Sequence, residues 1–296
     1  MAAPATTSLL IIGGAEDKIG RAVVLRRFVR LAGGRRSRIV IVPTASAFPE
    51  EAVAAYTDVF TRLGVSSVTT VDPASRAAAA DPALVAQVDG ATGVFMTGGN
   101  QLKLSQYVVG TPLGEAVLRA HQRGAVVAGT SAGASIMSLF MISMGEEGVT
   151  PRQRSSQLTA GLGLLPGVVV DQHFDQRARY GRLLSIVATS PNLLGLGIDE
   201  DTAAEVTDGH ALTVLGTGAV FVVDARAAVS DVPEARRDAP LLVSGAVVHS
   251  LPTGATFDLH TASLTTFVER YPDTMVKAAV KGEKDSTEAT AALRAH

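Results

Sequence analysis

The sequence contains no cysteine among its 296 residues. That absence excludes a disulfide scaffold, a thiol nucleophile, an iron–sulfur cluster and a cysteine-based zinc site together. An excess of charge of either sign is missing as well, since 26 Lys+Arg face 28 Asp+Glu for a formal charge of −2. Without a basic excess there is no general electrostatic reason to expect nucleic-acid or membrane-surface binding. No stretch approaches the ~20 apolar residues of a membrane span. Residues 1–8 lack a basic n-region, and the apolar run Leu9 to Ile12 is too short for a signal peptide. The expectation is a cytoplasmic globular protein. With 47% hydrophobic and 18% charged residues, the chain has the means to bury a core rather than remain disordered.

What is present is an alternation of short apolar runs and helix-period segments. Leu9 to Ile12, Ile39 to Val42, Val68 to Val71, Gly93 to Met96 and Ala125 to Ala128 read as buried strands. Between them, Arg21 to Ala32, Pro49 to Leu63, a short segment opened by Asp81-Pro82, and Thr111 to Arg123 read as helices. Runs buried on both faces and separated by such helices predict a doubly wound, mainly parallel α/β sheet with right-handed crossovers. The alternation continues with Val168 to Val170, a helix over Asp175 to Thr189 and a strand over Leu194 to Ile198. Ala203 to Val206, Leu212 to Leu215 and Val220 to Val223 then read as antiparallel strands, and Leu241 to Leu259 continues in that style. No linker or repeat divides the chain, so one α/β domain is expected over 1–274, followed by a charged, weakly amphipathic tail over 275–296. The polar stretch Ser143 to Ala160 is long for a connection and predicts a loop over a site.

Gly129-Thr130-Ser131-Ala132-Gly133 fits the G-x-S-x-G pattern. It stands between a buried strand and a helical run at Ala134 to Leu139, the strand-to-helix context in which small neighbours expose a serine hydroxyl. A tight turn chosen for packing would look the same from the pattern alone. A serine nucleophile requires a base. Of six histidines, His296 is terminal, His121 falls on a surface helix, and His210, His249 and His260 lie in turns or strand ends. His173 differs because it closes the run from Val168 at the carboxyl edge of a strand, where sites form in open α/β sheets. The orienting carboxylate is expected in Asp199-Glu200-Asp201, directly after another strand. Sequence physics leaves open which of the three faces His173, and a solvated acidic turn is the plain alternative. Thr97-Gly98-Gly99-Asn100-Gln101 follows a strand too, and its glycines permit close backbone approach and an oxyanion-type N–H donor. Gly13-Gly14-Ala15-Glu16-Asp17-Lys18 lacks the full dinucleotide fingerprint and carries two acids where a pyrophosphate would sit, which argues against nucleotide binding.

These segments together resemble the cyanophycinases, serine hydrolases that degrade cyanophycin, a poly-aspartate backbone bearing arginine on each side chain. The resemblance rests on Gly13 to Lys18, Thr97 to Leu102, Gly129 to Ala134, Asp171-Gln172-His173-Phe174 with the following arginines, and Gly197 to Ala203, in order over roughly residues 8 to 224. It implies a fold like that of class I glutamine amidotransferases, shared with aspartyl dipeptidases, and needs no cofactor or metal. By the same resemblance Ser131 is the nucleophile, His173 the base and Glu200 the orienting carboxylate. Gly99 and Ala132 would supply oxyanion N–H groups, and Gln101, Asp171, Gln172, Arg177, Arg179 and Arg182 would line the substrate pocket. The order Ser…His…Glu differs from that of α/β-hydrolases, which weakens a lipase or esterase reading. Two positions depart from the family pattern, Asn100 where aspartate is expected and Ala178 where glycine is usual.

The implied substrate agrees with the residues. Arg179 and Arg182, three apart on the expected helix, would share a face and clamp aspartate carboxylates. Asp171, on the same strand face as His173, would receive the substrate guanidinium. An exposed arginine helix can equally be a solvated face. The expected reaction is release of β-Asp-Arg dipeptides from the polymer through an acyl-enzyme. An aspartyl or isoaspartyl dipeptidase of the same family is the nearest alternative, and a non-catalytic binding protein on the same fold is the alternative of another class. Cyanophycin is the partner expected, with no nucleic acid or membrane, and a homodimer is left open.

Overall fold

The computed structural model describes residues 5–266; the domain boundary expected near 274 and the tail over 275–296 lie outside them. The first half alternates strand and helix: β1 (Ser8–Ile12), α1 (Val23–Leu31), β2 (Arg38–Val42), α2 (Pro49–Arg62), β3 (Ser67–Thr70), α3 (Pro82–Asp89), β4 (Gly93–Met96), α4 (Gln101–Val108), α5 (Pro112–Gln122) and β5 (Val126–Thr130). Helix starts are marked by side chains that take up the free N–H groups of the first turn. Asp81 accepts from the N–H of Ala83 at 2.8 Å and Asn100 from that of Leu102 at 2.9 Å. Pro82 and Pro112 occupy first positions, where no N–H is needed. Helix α4 is not anticipated by apolar periodicity, because polar residues break its stripe.

Strands β1, β5, β4, β2 and β3 pair in parallel in that order. Their alternate residues serve opposite faces. Leu10, Ile12, Ile39, Ile41 and Phe95 pack with α1 and α2 through Phe28, Tyr56 and Phe60. Leu9, Ile11, Val40, Val42 and Met96 pack on the other side with α3 and α5 through Val88, Leu113 and Val117. Burial on both faces is why β1, β5, β4 and β2 read as unbroken apolar runs, whereas β3, expected as a buried strand, is the edge strand and leaves Thr69 and Thr70 exposed. The doubly wound, mainly parallel architecture follows.

The second half contains α6 (Ala132–Ser135), β6 (Phe140–Gly145), β7 (Ser156–Ala160), β8 (Val168–Gln172), α7 (Tyr180–Thr189), β9 (Leu194–Ile198), β10 (Thr202–Thr207), β11 (Ala211–Gly216) and β12 (Ala219–Asp224). Short strands β13 (Val229–Ser230), β14 (Val243–Ser244), β15 (Val247–Pro252), β16 (Thr256–Asp258) and β17 (Ser263–Thr266) follow. Strand β10 joins β1 antiparallel and carries β11, β16 and β17 outward, so the main sheet has nine strands. Strands β8 and β9 do not extend the parallel block, as their patterning suggested. They pair with each other and with β12 and β15 in a separate four-stranded sheet. One face of that sheet packs on α7 through Val169, Leu183 and Val187. The other, through Val170, Leu196 and Ile198, shares a core with the main sheet.

Two local expectations are corrected. The polar stretch from 143 to 160 is not simply a loop, since β6 and β7 form an antiparallel hairpin with an irregularity between Ile142 and Met144. It is polar because much of its length faces solvent. The helix expected from Asp175 begins only at Tyr180, because the segment before it turns through Ala178 at φ 46°.

Candidate active site

Strand β5 delivers the chain to Ser131, which adopts φ 54° and ψ −112° before α6 begins. A non-glycine residue in that region is strained, and the strain stands the hydroxyl clear of the strand. The Ser131 N–H is tied to the carbonyl of Ile12 at 3.0 Å, fixing the elbow to the neighbouring strand β1. Ser131 Oγ lies 3.0 Å from Nε2 of His173. His173 Nδ1 lies 2.6 Å from Oε1 of Glu200. With Nδ1–H donating to the carboxylate, Nε2 presents its lone pair to the serine hydroxyl.

The three acids left undistinguished by sequence have three different partners. Asp199 accepts the backbone N–H groups of Asp175 at 3.1 Å and Ala219 at 3.0 Å, Glu200 meets His173, and Asp201 accepts the N–H of Asp17 at 2.9 Å. The Glu200 backbone is steadied by Gln176, whose Oε1 accepts its N–H at 2.9 Å. Burial is the main influence on His173, holding its pKa below the ordinary imidazole value against the opposing hydrogen bond from Glu200. The charges of Arg177 and Arg179 push in the same downward direction as burial. Both influences favour the neutral imidazole, the form that accepts a proton.

The loop after β1 ties these parts together, a role the sequence did not disclose. Gly13 accepts the His173 N–H at 2.8 Å and donates to Thr202 at 2.9 Å, while Gly14 accepts the Asp201 N–H at 2.9 Å. Gly14 has φ +109°, and a Cβ on it would lie 2.3 Å from Cε1 of the His173 ring. The imidazole therefore rests flat on a residue that can carry no side chain. Glu16, 3% exposed, accepts a hydrogen bond from Thr130 Oγ1 at 2.6 Å, bonds to the Tyr56 hydroxyl and lies 3.1 Å from Lys18 Nζ. The buried carboxylate thus braces the residue immediately before Ser131. The signal available in sequence was the acid so close behind two glycines at a strand end.

Of the glycines after β4, Gly98 lies against the elbow, since a Cβ on it would stand 3.2 Å from Ser131 Cβ. Gly99 stands at φ +135°, and a Cβ there would strike the Ala45 carbonyl at 2.1 Å. Ala132 is the first residue of α6, a position whose N–H has no partner within the helix. Asn100 performs the capping task open to either asparagine or aspartate, so that departure leaves the start of α4 intact. Ala178 adopts the left-handed conformation that glycine takes without strain, and its carbonyl accepts the N–H of Gly148 at 2.9 Å.

The residues expected to line the pocket divide into two groups. Gln172 Oε1 is 3.4 Å from Ser131 Oγ and accepts from Arg179 Nη1 at 3.1 Å. Arg177 is half-exposed. Gln101 Nε2 donates to the carbonyls of Ile142 at 2.8 Å and Ser143 at 3.2 Å, tying the start of α4 to β6 of the hairpin. Asp171 and Arg182 are instead spent on each other. Both are buried, and Arg182 grips the carboxylate with Nε at 2.6 Å and with Nη2. The expected clamp on substrate carboxylates by Arg182, and the guanidinium seat on Asp171, give way to this pair. The physical reason is desolvation, since a carboxylate 1% exposed is held by the cation already beside it. Arg179, at the start of α7, is also buried, with its Nε lacking a partner among the described residues.

A serine, an imidazole and a carboxylate in hydrogen-bonded series form an acyl-transfer constellation. The model of peptidase family S51 matches residues 9–214. The chain belongs to peptidase family S51. This S51 peptidase is 39% identical over 267 residues to the cyanophycinase of Nostoc sp. (strain PCC 7120), covering 89% of each chain. It is 40% identical over 222 residues to the cyanophycinase of Geminocystis herdmanii, covering 75% of this chain and 82% of that one. Among solved structures, a peptidase from an acI-B1 Actinobacterium superposes with a TM-score of 0.61 at 21% identity, covering 85% of this chain and 96% of the other. That likeness bears on the fold. No helix among the described residues of this S51 peptidase is long and apolar enough to cross a membrane.

Proposed function

We propose that this S51 peptidase is a cytoplasmic serine exopeptidase that hydrolyses cyanophycin to β-Asp-Arg dipeptides. The observation that carries the reading is the series Ser131 Oγ, His173 and Glu200, with spacings of 3.0 and 2.6 Å, in a chain of this family. Ser131 Oγ attacks a backbone carbonyl carbon of the poly-aspartate while its proton passes to His173 Nε2. The Gly99 and Ala132 N–H groups receive the oxyanion, and Glu200 stabilises the imidazolium. Collapse breaks the C–N bond, and His173 returns the proton to the leaving amine. Water then attacks the Ser131 ester, His173 takes a proton from it, and the dipeptide leaves as Ser131 regains its hydrogen.

The substrate assignment draws on the curated relatives and on the polar, arginine-bearing wall that Gln172, Arg177 and Arg179 place beside Ser131. The test is product analysis after incubation with purified cyanophycin. Wild-type protein is expected to release β-Asp-Arg and Ser131→Ala none. Dipeptide release by Ser131→Ala overturns the assignment, and cleavage of free aspartyl dipeptides with the polymer left intact overturns the substrate.

A further inference from the structure

A substrate that presents guanidinium groups requires an acceptor, and the carboxylates near Ser131 are mostly committed. Asp171 is sealed under Arg182, Glu200 is bonded to His173, and Asp199 accepts two backbone N–H groups. Asp175 accepts from the Tyr180 hydroxyl at 2.8 Å. Glu147 is different. It lies on the connection between β6 and β7, its side chain is 53% exposed, and it meets Arg179 Nη2 at 3.4 Å and Arg177 Nη1 at 3.9 Å. Both contacts are long for a charge-assisted hydrogen bond, and both are made by Oε1. The carboxylate is positioned by two cations but saturated by neither.

Side-chain contacts through Gln172 and Arg179 link it to the nucleophile. Ser131 Oγ leads to Gln172 Oε1 at 3.4 Å, Gln172 to Arg179 at 3.1 Å, and Arg179 to Glu147 at 3.4 Å. An arginyl group attached through the aspartate β-carboxyl extends its guanidinium about as far from the backbone carbonyl as three extended residues, ~10 Å. Glu147 also lines a cavity of about 200 Å³, together with Glu146, Thr150, Arg152, Ser155 and Arg182. Acids and cations together match a side arm that carries both a guanidinium and a free carboxylate. Arg179, buried with an unpartnered Nε, joins this carboxylate to Gln172 beside the serine.

We propose that Glu147 is a specificity-determining residue that accepts the guanidinium of the substrate's arginyl side arm at the mouth of this cavity. The inference rests on the polymer-hydrolysing activity proposed above. Asp171 is buried against Arg182, and Glu147 supplies the negative charge that the sequence suggests at Asp171.

The test compares wild type and Glu147→Gln on two synthetic substrates, a short poly-aspartate bearing arginine and the same backbone bearing citrulline, which lacks the positive charge. Wild type is expected to prefer the arginyl substrate. Glu147→Gln is expected to raise KM on it by about tenfold with kcat little changed, while KM on the citrulline substrate stays put. Equal losses on both substrates would show that Glu147 acts only by holding Arg177 and Arg179, and would overturn the proposal. An unchanged arginine preference would overturn it too. Glu147→Asp, which restores charge on a shorter arm, is expected to recover part of the preference. Failure of wild type to cleave either substrate would instead strike the activity itself.

Discussion

The ring of His173 lies against the α-carbon of Gly14, so close that a single added methyl would sit 2.3 Å from Cε1. Gly14→Ala is therefore expected to displace the imidazole from Ser131 and lower kcat by about a hundredfold or more. The left-handed backbone at φ +109° adds a stability cost of roughly 1–3 kcal/mol. Gly34→Ala is the control, since it also has positive φ but open space around it. A fall in kcat for Gly14→Ala alone, with circular dichroism unchanged in both, checks the contact.

Glu200→Gln keeps the size of the side chain and removes its charge. An amide no longer compels Nδ1 to carry the proton, so the tautomer that presents a lone pair to Ser131 is lost. We expect kcat to fall on the order of 10³- to 10⁴-fold with little change in melting temperature. The rate of labelling by a serine-directed phosphonate should fall with it, and a loss below tenfold would remove Glu200 from the series.

The acid limb of kcat/KM should lie below the ordinary histidine value of 6.5, because burial and two arginines disfavour the imidazolium of His173. The sign is fixed: a lowered pKa leaves the base neutral, and active, to lower pH. Arg177→Gln removes one of the repelling charges and is expected to move the limb upward. Salt should shrink the difference between the two proteins, since Arg177 is half-exposed. A limb that stays in place on substitution would show that burial alone sets it.

Asp171→Ala strands the Arg182 guanidinium in the interior and is expected to cost about 3–5 kcal/mol. For a chain of this size that lowers the melting temperature by roughly 10 °C. The double substitution Asp171→Leu with Arg182→Met removes both charges and should restore most of the loss, as measured by thermal unfolding. If the double variant is no more stable than the single, the two residues act separately.

The parallel core was legible because its strands are buried on both faces, as Ile39 to Val42 shows, and because prolines and capping residues such as Asp81 mark helix starts. The destination of β8 and β9 was not, since a buried apolar run does not say which sheet receives it. At the site, G-x-S-x-G before a helix pointed to Ser131, and the strand-edge position pointed to His173. The choice among Asp199, Glu200 and Asp201 was beyond periodicity, because it depends on backbone N–H groups brought in from Asp17, Asp175 and Ala219. Asp171 misled for a related reason. Alternation along β8 told its face, but the buried cation waiting there comes from α7, eleven residues on.

Ser131 follows a strand of the nine-stranded sheet, His173 follows a strand of the four-stranded one, and Glu200 sits on the turn where the chain crosses from the second to the first. The reacting atoms therefore face one another across a joint, bridged by the carbonyls of Gly13 and Gly14 and the N–H of Gly13. Because the three side chains come from separate elements, a shift of about an ångström between them would part the hydroxyl from the imidazole while every strand kept its ladder. On gentle heating, turnover should vanish before secondary structure does and return on cooling, a reversible silence that spectroscopy of the backbone would not register.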